Sequence, residues 1–177
     1  LRDVLTKDPV KQSFINEDEE QRQDSIGNDP INVREAWFGG RYLNVEFNIP
    51  VTSDSKVQHF INLVQDDVVA HNDTVYVTLR HNAYGEKPDT GNDRGNYFWA
   101  RGQVSFDLTS IVPEGQKSVP VKLIWTEYEK NFSGTITRED SGTYTLSGTS
   151  EAEADKGLNQ DNSKMVESEK EANCEVK

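Results

Sequence analysis

Two histidines lie in neighbouring predicted strands and are the first residues whose chemistry needs an explanation. His59 belongs to KVQHFINLVQ and His81 to TVYVTLRHN, and both segments alternate apolar and polar residues. If they pair as antiparallel strands with Ile61 opposite Leu79, His59 lies opposite His81, at about 5 Å between Cβ atoms. Two imidazoles so close could bind one metal ion. The alternative is that each ring ends an apolar stripe and hydrogen-bonds to the backbone or to Asn82.

A loop of acidic and amide residues is the second candidate for a metal. It offers oxygen atoms of the kind that calcium prefers, from Glu86, Asp89, Asn92 and Asp93. The spacing of an EF-hand fails, because Gly91 lies where an oxygen ligand is expected and Arg94 where glycine is needed. The pattern is more typical of a loop without a metal, and we predict no cofactor.

Two aromatic residues, Tyr97 and Trp99, lie on the polar side of the predicted strand YFWARGQVSFDL. Aromatic rings on the outer face of a sheet can form a platform for a sugar or a peptide. The alternative, which we favour, is that they pack against another part of the protein. Burial of both rings would support packing, and an exposed coplanar pair beside a groove would support a ligand site.

Catalysis has little support in the sequence. It lacks the Gly-x-Ser-x-Gly nucleophile motif, the His-Glu-x-x-His zinc motif and a phosphate-binding loop. Any two of its 31 acidic residues could still meet in space as a carboxylate pair. We predict that the domain is not an enzyme.

Short alternating segments must position these residues. About six of them lie between residues 31 and 128, with turn residues at regular spacing and no helical periodicity, as in LNVEFNI and VPVKLIW. We therefore predict an all-β fold, an antiparallel β-sandwich of the immunoglobulin-like or a related type. Gly39 and Gly40 predict the first hairpin turn, with a bulge near it.

Composition limits the partners. The net charge is −12, and residues 1–30, 31–149 and 150–177 each contribute −4 (8 acids and 4 bases, 15 and 11, 8 and 4). Such an evenly acidic chain repels phosphate backbones and anionic lipids, so we expect no nucleic acid and no direct membrane-surface binding. The single cysteine, Cys174, excludes an internal disulfide.

The aromatic residues define the folded region, since 13 of the 16 lie between residues 31 and 130. We divide the chain at changes in composition. Residues 16–28 are a polar linker, residues 29–130 the sandwich, residues 131–147 a polar β-hairpin around Asp140 to Gly142, and residues 148–177 an acidic disordered tail. Val4 and Leu5 form a short strand that Pro9 ends, and we expect it to have no partner here.

Three segments, in this order, carry a family resemblance: GNDPINVREAWFGGRYLNVEF, KVQHFINLV and VYVTLRHNAYG. Over roughly residues 24–128 the chain resembles the C-terminal domain of NigD-like proteins. The resemblance implies a cell-envelope lipoprotein of Bacteroides-type bacteria, with a lipid-anchored N-terminus and a small OB-like domain before the sandwich. Residues 1–15 would then be the last strand of that first domain, most of which is absent from this chain. No catalytic activity is implied.

The expected function is therefore a non-catalytic binding or structural module in the bacterial cell envelope, in the periplasm or on the outer membrane. Its partner would be an envelope protein or a glycan, and its contact with a membrane would be through the upstream lipid anchor. The alternative function is a carbohydrate-binding or hydrolytic sandwich that uses Tyr97, Trp99 and loop carboxylates.

One modification site follows from the same resemblance. Asp24, Ser25 and Ile26 match the Asp-Ser/Thr-aliphatic pattern of O-glycosylation in Bacteroides-type envelopes, and so do Asp73 and Thr74 with the residue after them. Ser25 is the better candidate, because it lies in the predicted linker.

Overall fold

The computed structural model describes residues 5–12, 25–66, 73–86, 97–146 and 164–167. Over these residues the chain forms ten strands and two short 3₁₀ turns, at Thr109–Ile111 and Lys130–Phe132. The strands are β1 (Leu5–Lys7), β2 (Val10–Lys11), β3 (Asn32–Gly39), β4 (Tyr42–Thr52), β5 (Phe60–Gln65), β6 (Val75–Asn82), β7 (Tyr97–Asp107), β8 (Ser118–Tyr128), β9 (Thr135–Thr145) and β10 (Lys164–Glu167).

The strands form two sheets that enclose one apolar core. Sheet A has the order β1-β7-β4-β3-β10, and sheet B has the order β2-β5-β6-β8-β9. Side chains on one face of each long strand are buried, as the period of two predicts. In β4 these are Leu43, Val45, Phe47 and Ile49, and in β8 they are Val119, Val121, Leu123 and Trp125. The prediction of an all-β sandwich is confirmed.

Both sheets are mixed rather than purely antiparallel. The long neighbours β3 and β4, β4 and β7, β5 and β6, and β8 and β9 are antiparallel. The pairs β1 and β7, β2 and β5, and β6 and β8 are parallel. A parallel pair needs a crossover between its strands. Along the chain, β7 follows β6 and precedes β8, and it lies in the other sheet, so it provides this crossover.

Among the described residues, no helix has both the length and the apolar character that a membrane span requires.

The first segment has sheet partners, contrary to expectation. Leu5 pairs with Val104 in sheet A, and Val10 pairs with Val64 in sheet B. The two short strands belong to different sheets, because Pro9 between them cannot continue a ladder. The segment therefore bridges the two sheets on one side of the sandwich. The assignment of residues 1–15 to an upstream domain stays a prediction.

The first hairpin turns one residue later than predicted. Gly39 pairs with Tyr42, so Gly40 and Arg41 form the two-residue loop, and Gly40 has a φ of 59°. A turn of this kind needs positive φ, which glycine adopts without steric cost. The bulge expected beside this turn is not there, since the register is continuous from Glu35 to Gly39, and the register shift lies near the start of β3, between Val33 and Glu35.

Residues 135–145 form one strand rather than the predicted hairpin. β9 continues through Asp140 and Gly142 and pairs with β8 along its full length, from Thr135 opposite Tyr128 to Thr145 opposite Ser118. The reason is that β8 offers eleven residues of edge, which a short hairpin would leave unpaired. In the predicted tail, Lys164–Glu167 pair with β3, and the remainder lies outside the described residues.

Candidate functional site

A buried chain of hydrogen bonds joins the two candidate histidines to a glutamate, and we call it the buried histidine chain. His59 Nε2 lies 2.6 Å from Glu86 Oε2, and His59 Nδ1 lies 2.8 Å from His81 Nε2. His81 Nδ1 lies 2.8 Å from the carbonyl oxygen of Pro30. His59 and Glu86 side chains are each 5% exposed, and His81 is 1% exposed. The two histidines therefore meet, as the sequence predicts.

The register that brings them together differs from the predicted one. Ile61 lies opposite His81, and Leu63 lies opposite Leu79, a slip of two residues. His59 lies before the first residue of β5, so its side chain reaches His81 from the loop. A slip of two residues keeps every side chain on its own face, and this is why the alternation could not reveal it.

Counting protons gives the charge of each group in this chain. The Pro30 carbonyl only accepts, so His81 donates from Nδ1. Burial lowers the pKa of His81 to about 4, so its Nε2 carries no proton near neutral pH and accepts from His59. His59 must then donate from Nδ1 to His81. The remaining contact holds one proton between His59 Nε2 and Glu86 Oε2.

Four donors to Glu86 decide where that last proton lies. Oε1 accepts from the backbone N–H and the hydroxyl of Thr52, and Oε2 accepts from the Ser55 hydroxyl and from His59. Burial alone would raise the pKa of Glu86, but these hydrogen bonds outweigh it and lower the pKa to about 2. Glu86 is therefore a carboxylate, and His59 carries both ring protons as its ion-pair partner.

His81 remains neutral for a different reason. Burial lowers its pKa from 6.5 to about 4, and the nearby positive charge of His59 acts in the same direction, against the hydrogen bond to Pro30 and the charge of Asp29. The chain is thus an ion pair at one end and a neutral ring at the other. All nitrogen atoms of both rings have partners.

The segment before β3 supports His81 from the other side. Asp29 N–H donates to the carbonyl oxygen of His81, and the Asp29 carboxylate accepts from the Ala83 N–H. Gly27 makes this approach possible, because a Cβ atom there would lie 2.7 Å from both the Cβ of Asn82 and the His81 carbonyl oxygen. The end of the predicted linker is therefore packed against β6.

The facing nitrogens of the two histidines hydrogen-bond to each other in this structure, and metal binding by this pair stays a prediction. A zinc ion would need each nitrogen at about 2.0–2.1 Å with its lone pair free, whereas His59 Nδ1 and His81 Nε2 share a hydrogen bond. Within the described residues no group of three His, Cys, Asp or Glu side chains is arranged to hold a metal ion. Of the predicted calcium loop only Glu86 is described, and Asp89, Asn92 and Asp93 lie outside the described residues.

Sequence reasoning missed the role of Glu86, which it placed only among possible calcium ligands. The signal that could have found it is the Tyr84-Gly85 turn. The Glu86 N–H donates to the Ala83 carbonyl and closes a tight turn that returns the chain toward the end of β4. Such a turn brings the next side chain back over the strands.

Tyr97 and Trp99 belong to a group of four aromatic rings. The Trp99 ring stacks on Phe132 at 5.5 Å with an angle of 13° between planes. Tyr97 and Tyr128 each approach Phe132 edge-on, with centroids at 5.0 Å. All four are partly buried, so Tyr97 and Trp99 are neither an exposed coplanar pair nor fully enclosed. Phe132 covers one face of the Trp99 ring.

Ser25 is exposed, and its carbonyl oxygen accepts from the Asn82 side chain. That contact fixes the backbone at the candidate glycosylation site beside β6. Glycosylation of Ser25 stays a prediction.

Three solved structures share this fold. The chain resembles a NigD-like immunity protein from Bacteroides caccae (24% identity, TM-score 0.58), with 77% of this chain and 60% of that chain covered. It resembles a toxin-related protein from Parabacteroides distasonis (27%, 0.54), with 81% and 62% covered. A protein of unknown function from Bacteroides vulgatus is similar at 23% identity and a TM-score of 0.52, with 82% and 58% covered.

The chain therefore spans about 60% of the length of these solved relatives. A search of the curated proteins finds no match. The model of the NigD-like C-terminal beta sandwich domain matches residues 13–138, which is more than half of the chain. With the sandwich and its strand order in place, this match shows that the chain belongs to the NigD-like C-terminal β-sandwich family.

Proposed function

We propose that this domain is a non-catalytic binding module of a bacterial cell-envelope lipoprotein. The observation that carries the proposal is the buried histidine chain. Its ion pair and its neutral ring use their hydrogen-bonding atoms on one another and on the backbone. General acid or base catalysis needs such a group within reach of a substrate proton, whereas this chain is enclosed and holds two loops in place.

The relatives support the same direction. One is described as an immunity protein, from Bacteroides caccae, and another as a toxin-related protein, from Parabacteroides distasonis. For this chain we infer a location at the cell envelope, in the periplasm or on the outer membrane, with a lipid anchor upstream of the domain. The partner that we infer is an envelope protein or a glycan.

The proposal is tested with the full-length protein in its own bacterium. Cells are labelled with a radioactive fatty acid, treated with a lysine-specific cross-linker and fractionated. We expect label on the protein, recovery with the envelope, and a defined cross-linked partner at near-equal amounts. A protein without label that is recovered away from the envelope would contradict the inferred location. The absence of a defined cross-link would contradict a protein partner, and a glycan partner is tested by the titration below.

The second candidate function is a carbohydrate-binding or hydrolytic sandwich that uses Tyr97 and Trp99. One observation favours a ligand there. Asn48 lies on the same outer face as Trp99, is 1% exposed, and has an Oδ1 atom with no hydrogen-bond partner among the described residues. Against it, Phe132 occupies the ring face on which a sugar would stack.

Titration with soluble fragments of envelope polysaccharide separates these candidates. A glycan site predicts a saturable change in tryptophan fluorescence that is lost in Trp99→Phe and kept in Trp37→Phe. Release of reducing sugar during the titration would instead support a hydrolase.

A further inference from the structure

A small apolar surface adjoins the buried histidine chain, since Phe60 follows His59 and Tyr84 lies two residues before Glu86, and we call it the Phe60/Tyr84 patch. It consists of the contacting rings of Phe60 and Tyr84, with Lys7 beside the Phe60 ring and Val57 three residues before Phe60 in the chain. Val57, Phe60 and Tyr84 are 43%, 40% and 54% exposed. The rings of Phe60 and Tyr84 meet edge to face, with centroids at 5.7 Å. Exposed apolar residues that adjoin one another are more informative than exposed apolar residues scattered singly.

The backbone holds Tyr84 in a conformation that its side chain disfavours. Tyr84 has a φ of 49° and Gly85 a φ of 82° in the turn of residues 83–86. Asparagine or glycine is preferred at the first of these positions, because a bulky side chain clashes there with its own backbone. Strain at an exposed aromatic residue is a feature that stability alone does not explain, and such strain is concentrated at functional positions.

The buried histidine chain makes this patch rigid. Glu86 fixes the end of the Tyr84 turn and binds the hydroxyl of Ser55, and that hydroxyl accepts in turn from the Val57 N–H. His59 immediately precedes Phe60 and is bound on both sides. The three apolar residues are therefore presented by loops that the buried ion pair holds together. A rigid surface loses little conformational entropy on binding, which favours affinity.

Lys7 adds a positive charge at the edge of the Phe60/Tyr84 patch. Its ammonium group lies 5.6 Å from the centre of the Phe60 ring and donates to the Ile61 carbonyl and, at 3.4 Å, to Asn62 Oδ1. An ammonium has three N–H donors, and the two acceptors found within the described part of the chain leave one for a visiting group. Lys56 is exposed beside Val57. Exposed Asp8 and Asp54 lie near these two lysines in the chain, so attraction for a carboxylate at this patch depends on the Lys7 ammonium beside the Phe60 ring.

From these observations we infer that the Phe60/Tyr84 patch is an interaction surface for a polypeptide. The partner places an aliphatic or aromatic side chain against the ring pair and an aspartate or glutamate carboxylate against Lys7. The rings stand at 75° to each other, so they do not form the flat platform on which a sugar ring stacks. This inference rests on the proposed binding function and names its surface and its partner chemistry.

The test uses random twelve-residue peptides displayed on phage and selected on the whole 177-residue chain. We expect the enriched peptides to carry an apolar anchor within a few residues of an aspartate or glutamate. Binding of a synthetic copy is then measured with Tyr84→Asn, which removes the ring and suits the positive φ, so that folding is retained. We expect Tyr84→Asn to weaken binding about tenfold or more, as loss of an aromatic anchor does.

Two further variants complete the test. Lys7→Gln should weaken binding about threefold to tenfold and reduce its sensitivity to salt. Ile136→Thr removes an apolar side chain of similar exposure on β9, at 38%, and should leave binding unchanged.

The inference is overturned if no peptide is enriched, if the enriched peptides are basic, or if Tyr84→Asn binds as well as the parent. It is also overturned if sedimentation shows a dimer that Tyr84→Asn dissociates, because the occupant would then be a second copy. These failures would leave the binding module intact if the cellular cross-link maps to another surface, such as the one around Trp99.

Discussion

Glu86 is the residue on which the buried histidine chain depends. It is the only negative charge in the chain of hydrogen bonds, and it connects the end of β4, the loop before β5 and the turn after β6 through Thr52, His59 and its own backbone. Removing one member of a buried ion pair leaves the other charge uncompensated. The loops at this end of the sandwich should therefore respond to a change at this one position.

We predict that Glu86→Gln lowers the free energy of unfolding by about 2–4 kcal/mol, because the protonated His59 loses its counter-ion while Gln keeps only part of the hydrogen bonding. Urea unfolding followed by fluorescence measures this change.

The matched control is Glu139→Gln, which breaks the exposed ion pair with Lys122. An exposed pair contributes about 0–1 kcal/mol, so this variant should unfold nearly as the parent does. Equal effects of the two substitutions would argue against a buried charged chain.

His81 predicts a pH dependence of stability. Its folded pKa of about 4 lies below the ordinary 6.5, so between these values the unfolded chain binds more protons at this position than the folded protein does. Stability therefore rises with pH across this window and is lost as the pH falls. The expected loss from His81 is about 2 kcal/mol between pH 7 and pH 5.

Unfolding of the parent and of His81→Gln at both pH values isolates this contribution. The variant should show a smaller drop, whatever its absolute stability. A drop of the same size in both proteins would mean that His81 is not held neutral. Glu86 contributes to stability in the same way but at lower pH. Its contribution is lost as the pH falls from its ordinary pKa of 4.5 to its folded pKa of about 2.

At the scale of elements, β4 and β7 depend on a glycine for their close packing. Gly102 lies opposite Phe47, and a Cβ atom added there would lie 2.6 Å from Cζ of the Phe47 ring. The ring therefore occupies the space that any other residue would need.

Gly102→Ala should destabilise the domain by about 1–3 kcal/mol, because the buried Phe47 ring must move into neighbouring core side chains. Phe47→Leu replaces the ring with a smaller side chain and should offset part of the loss. The double variant should therefore be more stable than the sum of the single changes predicts. Chemical unfolding of the four proteins measures the coupling. Additive effects would mean that the ring moves aside without strain.

The edge strand β9 is mostly polar, yet it closes the core through one residue. Tyr144 is fully buried, contacts the Phe38 ring at 5.7 Å, and donates its hydroxyl to the Arg41 carbonyl. The strand is therefore part of the sandwich rather than a separate hairpin.

Tyr144→Ala should cost about 3–5 kcal/mol, as does deletion of a large buried aromatic side chain. Ile136→Ala on the same strand should change stability by about 0.5 kcal/mol or less, because that side chain is partly exposed. Thermal or urea unfolding gives both values. A small effect of Tyr144→Ala would show that β9 is docked only loosely.

For the whole molecule, the first described segment bridges the two sheets on one side of the sandwich. β1 pairs with β7 and β2 with β5, and the Lys7 ammonium crosses from sheet A to the Ile61 carbonyl in sheet B. The sandwich is therefore covered on that side by a few residues of short strand.

Hydrogen exchange after deletion of residues 1–12 tests this arrangement. The amides of β7 that face β1 should exchange about tenfold faster or more, because they lose their strand partner. The amides of β7 that face β4 should change much less and provide an internal control. Unchanged exchange on both faces would indicate that β1 does not pair with this sandwich in solution, as expected for the last strand of an upstream domain.

Several features of this protein follow from the sequence alone. Alternation predicted β4, β6, β7 and β8 and the apolar side chains that β4, β6 and β8 bury, because burial on one face of a strand requires a period of two. In β7 it predicted Val104 and Phe106 correctly, whereas Phe98 is 36% exposed. The three segments around Trp37, His59 and Tyr76 predicted the family. The meeting of His59 and His81 was also predicted, since both lie at the same end of paired strands.

Only the tertiary structure decided the partners, the register and the charges. Alternation records which face of a strand is buried, and it is unchanged by a slip of two residues or by the choice between a parallel and an antiparallel neighbour. Contacts between distant residues decide three features: the pairing of β6 with β8, the pairing of Leu5 with β7, and the formation of β9 as one continuous strand. Glu86 became the counter-ion of His59 for the same reason, because the turn at Tyr84 and Gly85 indicates a reversal of the chain but not the partner that Glu86 meets after it.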